Sequence, residues 1–434
     1  MSPVLLSFLA LAICFFAFSP GAMTWDSLEQ LRQARLNEYG DWQPPTMAFM
    51  WHILLKINDE PGIMLLFHML MLWCASVFLY YWSCRSSHRF SIIFLAIPFL
   101  PWVLNFQFVI WKDVGLAYSW ALAVAIAIYF NSRNKFPIMA AVTITFLFLY
   151  GFLVRQNSIT GMIFLLPFLA GCIFKKYSIK FFLLCLLSTA AIFAIVPKAV
   201  NTLLSAESTH PLSYIIFDDL VALKLIEKSV SIDLLKPEDI SNLELCEHIH
   251  QNKVGAAFCV NERFEYIRKN HYSELKDTWV SAVSQHPKLY LAYRLNAFTN
   301  LLRLPLQKPY YPSEFNIKVA PYIFDSALQP HTAIAEHIIK YVNHSVAIFP
   351  IFFKPHFWVL LSIALAVGLR LSAGAENSPL WMLPLSGLTY VLGYYPTTPA
   401  ADFRYVYWTC LICTISALIY VNNSTLPKNT NHDK

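Results

Sequence analysis

Ten blocks of apolar residues, each about as long as a membrane-crossing helix, recur along the chain near 3–20, 62–82, 91–108, 114–130, 137–154, 158–174, 181–197, 347–369, 379–395 and 405–421. Such blocks leave a chain few choices. Roughly 17 to 22 residues of α-helix cover about 30 Å of hydrocarbon, and in that medium the backbone must hydrogen-bond to itself. Charged residues make up only 13% of the 434, against about 25% in soluble domains, and hydrophobic residues reach 57%. The sequence therefore predicts an all-α polytopic membrane protein with about ten transmembrane helices. Two blocks are less regular than the rest: 91–108 is interrupted by Pro98 and Pro101, and 347–369 carries Lys354.

Lys and Arg in the short loops set the orientation. Arg85 and Arg89, Arg133 and Lys135, Lys175, Lys176 and Lys180, Arg370, and Lys428 and Lys434 all fall on one side if the ten spans hold. That side is read as cytoplasmic, with both termini inside and 21–61, 109–113, 155–157, 198–346 and 396–404 outside. The first block lacks the basic n-region and small-residue cleavage site of a signal peptide, so it is read as a retained helix. The formal net charge of +6 then reports topology, and no nucleic-acid partner is expected.

Three regions follow. Residues 1–197 form a seven-span membrane region with 21–61 as its first outer loop. Residues 198–346 form an extracytoplasmic domain between spans seven and eight, and 347–434 supply three closing spans and a short tail. Runs such as "DDLVALKLIEKSVSIDLL" in the middle region read as helices with one apolar face, so that domain is expected to be mainly helical. Seven of the nine cysteines lie in or beside the spans. The other two, Cys246 and Cys259, lie in the outer region, where a disulfide is permitted but not required.

Polar residues are informative where burial would penalise them. Here they gather at the outer span ends: Asp26, Asp41 and Gln43 in the first loop, "WKD" (Trp111 to Asp113) in the second, "RQN" (Arg155 to Asn157) in the third, and Asp402 and Arg404 before the last span. Carboxylates and cations beside apolar walls suit a substrate with an anionic headgroup and a long apolar tail. Arg offers a planar fork of donors for phosphate and Lys a compact charge, while a carboxylate can serve as general base toward a hydroxyl. Blander readings stand beside this one. Lys and Arg at span ends also snorkel to lipid headgroups, and Asp26 in "TWDSLEQ" could cap a helix beginning at Ser27. The "CEHIHQ" stretch, with Cys246, His248 and His250, lacks a partner pair for zinc. No GxxxxGK[ST], GxSxG or HExxH motif is present, so a nucleotide motor, a serine hydrolase of that kind and a zinc protease lack support.

An aspartate soon after the first span, a "DWQPP" element, a "WKD" turn, an "RQN" at an outer span end and a late "DFRY" together resemble the GT-C superfamily of integral-membrane glycosyltransferases, here of the bacterial polyprenyl-phosphate-sugar type. The resemblance covers about 24–174 and 390–410. It implies transfer of a sugar, with inversion, from a polyprenyl-phosphate carrier to a lipid- or glycan-linked acceptor at the outer face of the inner membrane, for envelope glycan synthesis. Under it Asp26 is the general base. Asp41 and Asp113 are further acidic residues that position the acceptor or hold a divalent cation if one is used. Lys112, Arg155 and Arg404 neutralise the departing phosphate, and Gln43, Asn157 and Asp402 complete the substrate-binding set. Relatives often carry His where this chain has Gln43, which cannot carry a proton or a positive charge. Within the outer region the "STHPLSYIIFDDL" and "HPKLYLAYR" elements are expected to contact the membrane site through His210, Asp218, Tyr290 or Arg294. An O-antigen-type polymerase or ligase, a lipid or glycan transporter and an assembly protein are the alternatives. A polymerase would rely on Arg in large outer loops with no essential acidic residue in the first. A transporter would place its ionisable residues near the midplane in repeated broken helices, and in an assembly protein the outer domain would carry the function and the loop carboxylates would be dispensable.

Overall fold

The computed structural model describes residues 2–85, 88–133, 136–246, 249, 254–304, 307–310, 332–372 and 379–424. Among these the chain is helical throughout, with two isolated β-bridges, Ala22 to Val109 and Gly40 to Glu207, as its only extended pairings. The side chains of Lys135, His248, His250, Lys428 and Lys434 lie outside the described residues, as does that of Arg89.

Among the described residues five helices are long and apolar enough to cross a membrane: Gly62–Ser83, Lys112–Asn131, Gln156–Phe174, Ile179–Leu203 and Phe403–Asn423. Lys112–Asn131 is central, with 83% of its residues buried, because it packs against the helices on either side of it and against the last helix. Ile179–Leu203 is peripheral, with 11% buried, and turns Leu183, Leu187 and Ile195 outward as a lipid-facing helix should. Shorter apolar helices fill the bundle, among them Pro3–Phe18 and Ile138–Leu153 of 16 residues each, Pro355–Leu371 and Met382–Leu392. At about 1.5 Å per residue, 16 residues reach only about 24 Å, so five full-length spans stand where ten blocks were expected.

Two blocks depart from single continuous helices. The 91–108 block is divided into His88–Leu95, a tight turn Ile97–Phe99 and Pro101–Gln107. Pro98 and Pro101 lack the N–H that would continue the ladder, and Gln107 Nε2 donates to the released Pro98 carbonyl at 2.9 Å while its Oε1 accepts from Trp73 Nε1 at 2.6 Å. The 347–369 block starts as a helix only at Pro355, and the chain before it forms a separate helix, Ala333–Ile348, packed against Pro101–Gln107 and the first helix. The stretch read as a loop, 21–61, itself contains two helices, Trp25–Leu36 and Thr46–Leu55, which pack together.

The two ends of the bundle differ in charge. At one end Arg85 and Arg133 both lie over the Tyr129 ring, at 4.5 and 4.6 Å from its centre, and Lys175 Nζ donates to Asn131. Ser83 and Asn422 are hydrogen-bonded at this same end, at 2.7 Å. At the opposite end the helices Leu212–Ile226, Pro237–Glu244, Asn261–Asn270, Tyr272–Gln285 and Pro287–Leu302 form an outer body. It has its own core around Phe217, Leu220, Leu223, Phe264, Ile267 and Leu275. Cys246 and Cys259 are joined in a disulfide in that body.

Candidate functional site

The end of the bundle beneath the outer body is tied together by short polar contacts between distant loops. After the first helix the chain pairs Ala22 with Val109. Ser27 Oγ then donates to the Ile110 carbonyl at 2.6 Å, and Trp111 Nε1 donates to Thr24 Oγ1 at 2.8 Å. Thr24 occupies the N-cap of Trp25–Leu36, and its N–H donates to Ser27 Oγ, so Asp26 is free of the capping role that the sequence left open. Its carboxylate turns inward instead. Oδ1 accepts from Gln43 Nε2 at 2.8 Å and Oδ2 from Arg404 Nη1 at 2.9 Å.

Arg404 opens the last span and serves two carboxylates, since its Nε lies 3.1 Å from Asp402 Oδ2, while its guanidinium lies 4.7 Å above the Trp111 ring. Arg155 is enclosed. It contacts both oxygens of Asp113 at 3.2 Å, donates to the Tyr394 hydroxyl at 3.2 and 3.1 Å, and sits 4.8 Å over the Tyr405 ring. Asp113 is 1% exposed, so this is a desolvated pair, in which each charge depends on the other. Asn157 Nδ2 donates to Thr397 Oγ1 at 3.3 Å and ties the third loop to the last.

A cavity of about 610 Å³ opens between this network and the outer body, within the range of about 300–1,000 Å³ usual for small-molecule sites. Asp26, Gln43, Lys112, Arg155, Asn157, Asp402 and Arg404 all line it. Seven of the nine residues singled out from the sequence thus share one wall. Lys112 differs from the two arginines: it is 9% exposed, and among the described residues it has neither a hydrogen bond nor an ion pair.

The environments of the two carboxylates on Arg404 differ. Burial alone would push the Asp26 carboxyl up, but the fields of Arg404, Lys112 and Arg155, with the Arg404 hydrogen bond, outweigh it and hold the group below the ordinary aspartate value. Asp402 goes the other way, because burial, aided by the neighbouring Asp113 and Asp26 charges, exceeds what Arg404 returns. Asp26 is thus an ionised acceptor, and Asp402 is the carboxyl in the group that takes a proton more readily.

Asp41 and Asp113 do not line the cavity. Asp41 Oδ1 accepts from both the N–H and the hydroxyl of Thr209, at 2.6 and 2.8 Å, and so staples the first loop to the strand of chain entering the outer body. Asp113 is occupied by Arg155. Among the described residues no group of three or more His, Cys, Asp or Glu side chains could hold a metal ion. Of the four outer-body residues, Arg294 does reach the membrane side: it pairs with Asp219 at 2.7 Å and donates to the Thr398 carbonyl at 3.3 Å. Asp218 instead accepts the N–H groups of Gly255 and Ala256, His210 stacks on Tyr272, and Tyr290 packs on Trp279.

Sequence reasoning missed the aromatic side of the cavity, formed by Trp42, Tyr214, Phe258 and Phe264, and the ring partners of the arginines, Trp111, Tyr394 and Tyr405. Aromatic residues are 16% of this chain, so their mere presence carries little signal. Only Trp42, Trp111 and Tyr405, inside the quoted "DWQPP", "WKD" and "DFRY" elements, could have been flagged. Comparison with protein-family models, with curated proteins and with solved structures gives no match, so the site has to be read from its own chemistry.

Proposed function

We propose that the chain is a membrane glycosyltransferase that moves a sugar from a polyprenyl-phosphate carrier to a lipid- or glycan-linked acceptor hydroxyl. Its site would face the outside of a bacterial inner membrane, with the Arg- and Lys-bearing end of the bundle in the cytoplasm. The observation that carries the reading is the presence, in the lining of one cavity, of an ionised Asp26 and of the Lys112 amino group, which has neither a hydrogen bond nor an ion pair among the described residues. A base and an amine that is free to take up an anionic phosphate are what a displacement at a glycosyl phosphate needs.

In such a displacement the acceptor oxygen attacks the anomeric carbon, the carbon–oxygen bond to phosphate breaks, and the phosphate leaves with the bonding pair. The acceptor proton passes to Asp26, and Lys112 and Arg404 stabilise the charge that grows on the phosphate oxygens. Arg404 has a double role in this scheme. While it holds Asp26, that carboxylate is a weak base. A phosphate that draws the guanidinium toward itself weakens the hold and raises the basicity of Asp26 as the donor seats. Asp113 and Asp41 act at a distance, the first by keeping Arg155 in place and the second by fastening the first loop.

The test is Asp26→Asn in membranes where the protein accumulates to parental levels. Transfer from an undecaprenyl-phosphate hexose to endogenous acceptors is expected to fall about 10²- to 10⁴-fold, the usual share of a general base. Transfer at the parental rate would remove the transferase mechanism and favour a polymerase that relies on arginines alone.

A further inference from the structure

The cavity has two chemically unlike walls. The membrane-side wall holds the charged groups already used. A second part of the lining is aromatic, built from Trp42 of the first loop and Tyr214, Phe258 and Phe264 of the outer body, with Asn261 and Glu265 also in the lining. The rings brace one another edge to face. Trp42 meets Tyr214 and Phe264, each at 6.4 Å between centres, and Tyr214 meets Phe258 at 6.2 Å and Phe264 at 6.1 Å. Arg268 covers Trp42 at 5.1 Å and fixes that ring further.

Phe258 is the informative member. It is 67% exposed while its neighbours Ala256 and Ala257 are buried, so its place on the surface forgoes the free energy that burial of a phenyl ring would supply. Nor does it hang on a loose loop. Gly255, at φ +93°, makes a turn open to few other residues, and Asp218 accepts the N–H groups of Gly255 and Ala256 at 2.8 and 2.6 Å. Cys259, the next residue after Phe258, is tied to Cys246. A rigid mount therefore displays a water-exposed ring at the rim of the cavity.

We propose that the wall of Trp42, Tyr214 and Phe258 is a carbohydrate subsite that receives a pyranose ring of the acceptor glycan. A pyranose has a flat face of C–H groups and a rim of hydroxyls. The face matches Phe258 and Tyr214, and the rim matches the Asn261 amide and the Glu265 carboxylate. An isoprenoid tail on this wall would strand those amide and carboxylate groups against hydrocarbon, at a cost that leaves the wall better suited to the sugar. Assignment of the ring to the acceptor rests on the transferase reading, whereas the existence of the subsite does not.

The experiment is saturation-transfer NMR on the full-length protein in detergent, with methyl glucoside, galactoside, mannoside and N-acetylglucosaminide and the disaccharides lactose and chitobiose as probes. Undecaprenyl phosphate binding is followed in parallel by tryptophan fluorescence. At least one pyranoside is expected to receive saturation at its ring C–H protons. Phe258→Ala should weaken that binding about fivefold or more, Phe258→Trp should restore it, and undecaprenyl phosphate should bind all three forms alike. The subsite is overturned if no probe is saturated, if Phe258→Ala leaves pyranoside binding unchanged, or if it is the lipid phosphate that responds to Phe258. Asp26→Asn should still bind the pyranoside. If that variant also transfers sugar normally, the subsite stands and only its role as the acceptor site falls.

Discussion

Lys112 and Arg155 face the same cavity in opposite energetic situations. Arg155 is surrounded by Asp113, the Tyr394 hydroxyl and the Tyr405 ring, so Arg155→Ala strands a carboxylate that is 1% exposed. Breaking a buried pair from one side costs about 3–5 kcal/mol, and thermal unfolding in detergent should show a drop in Tm of several degrees. Among the described residues Lys112 has no hydrogen-bonded or ion-paired partner to strand, so Lys112→Met should unfold at the parental temperature or above it while binding undecaprenyl phosphate about tenfold more weakly. A matching loss of stability would mean that Lys112 is structural and that the cavity has no anion site. At this scale the sequence picked out charges at span ends, because lipid makes such a charge costly and its retention informative, but it did not separate Asp26, Lys112, Arg155 and Arg404, which line the cavity, from Asp113, which does not. It was not legible for Asp41, whose partner Thr209 lies 168 residues away and has no feature to distinguish it from other threonines.

At the scale of elements, the segment from Gly255 to Cys259 depends on a titratable mount. Burial pushes the Asp218 carboxyl up to about 7, only partly offset by the Gly255 and Ala256 N–H groups and by Arg294. A carboxyl raised in the fold contributes stability that is fully present below about pH 4, where the unfolded group is also protonated, and that is lost as pH rises through about 7. The outer body should therefore lose on the order of a few kcal/mol between pH 4 and 7, and Asp218→Asn should flatten this slope in denaturant titrations of the full-length protein. A slope unchanged by Asp218→Asn would assign the dependence to another group. Elements were read well where length and hydropathy agree, as for Gly62–Ser83. They were read poorly where prolines divide a block, as at Pro98 and Pro101, because hydropathy averages over a break that the backbone cannot. The helix Thr46–Leu55 escaped because ten residues are too few to register as a span.

At the scale of the whole molecule, the charge asymmetry of the bundle decides which compartment the cavity meets. Arg85, Arg133 and Lys175 lie at one end and the Asp26 cavity at the other, with the outer body beyond it. The positive end of a membrane protein is retained in the cytoplasm, so the cavity should open outside. Exposed Lys176 and Lys288 lie on the two sides of this division and allow a direct check. In the full-length protein, with the seven free cysteines as background control, Lys288→Cys should react with a membrane-impermeant maleimide on intact cells or spheroplasts. Lys176→Cys should react only after the membrane is permeabilised. The reverse pattern would turn the cavity toward the cytoplasm. The Cys246–Cys259 disulfide bears on the same question, because a reducing cytoplasm would not preserve it and the mount of Phe258 would lose one of its two anchors. Orientation, the disulfide and the aromatic wall are thus physically linked: an outward cavity keeps the bond closed, and the closed bond keeps the ring in position over the charged wall.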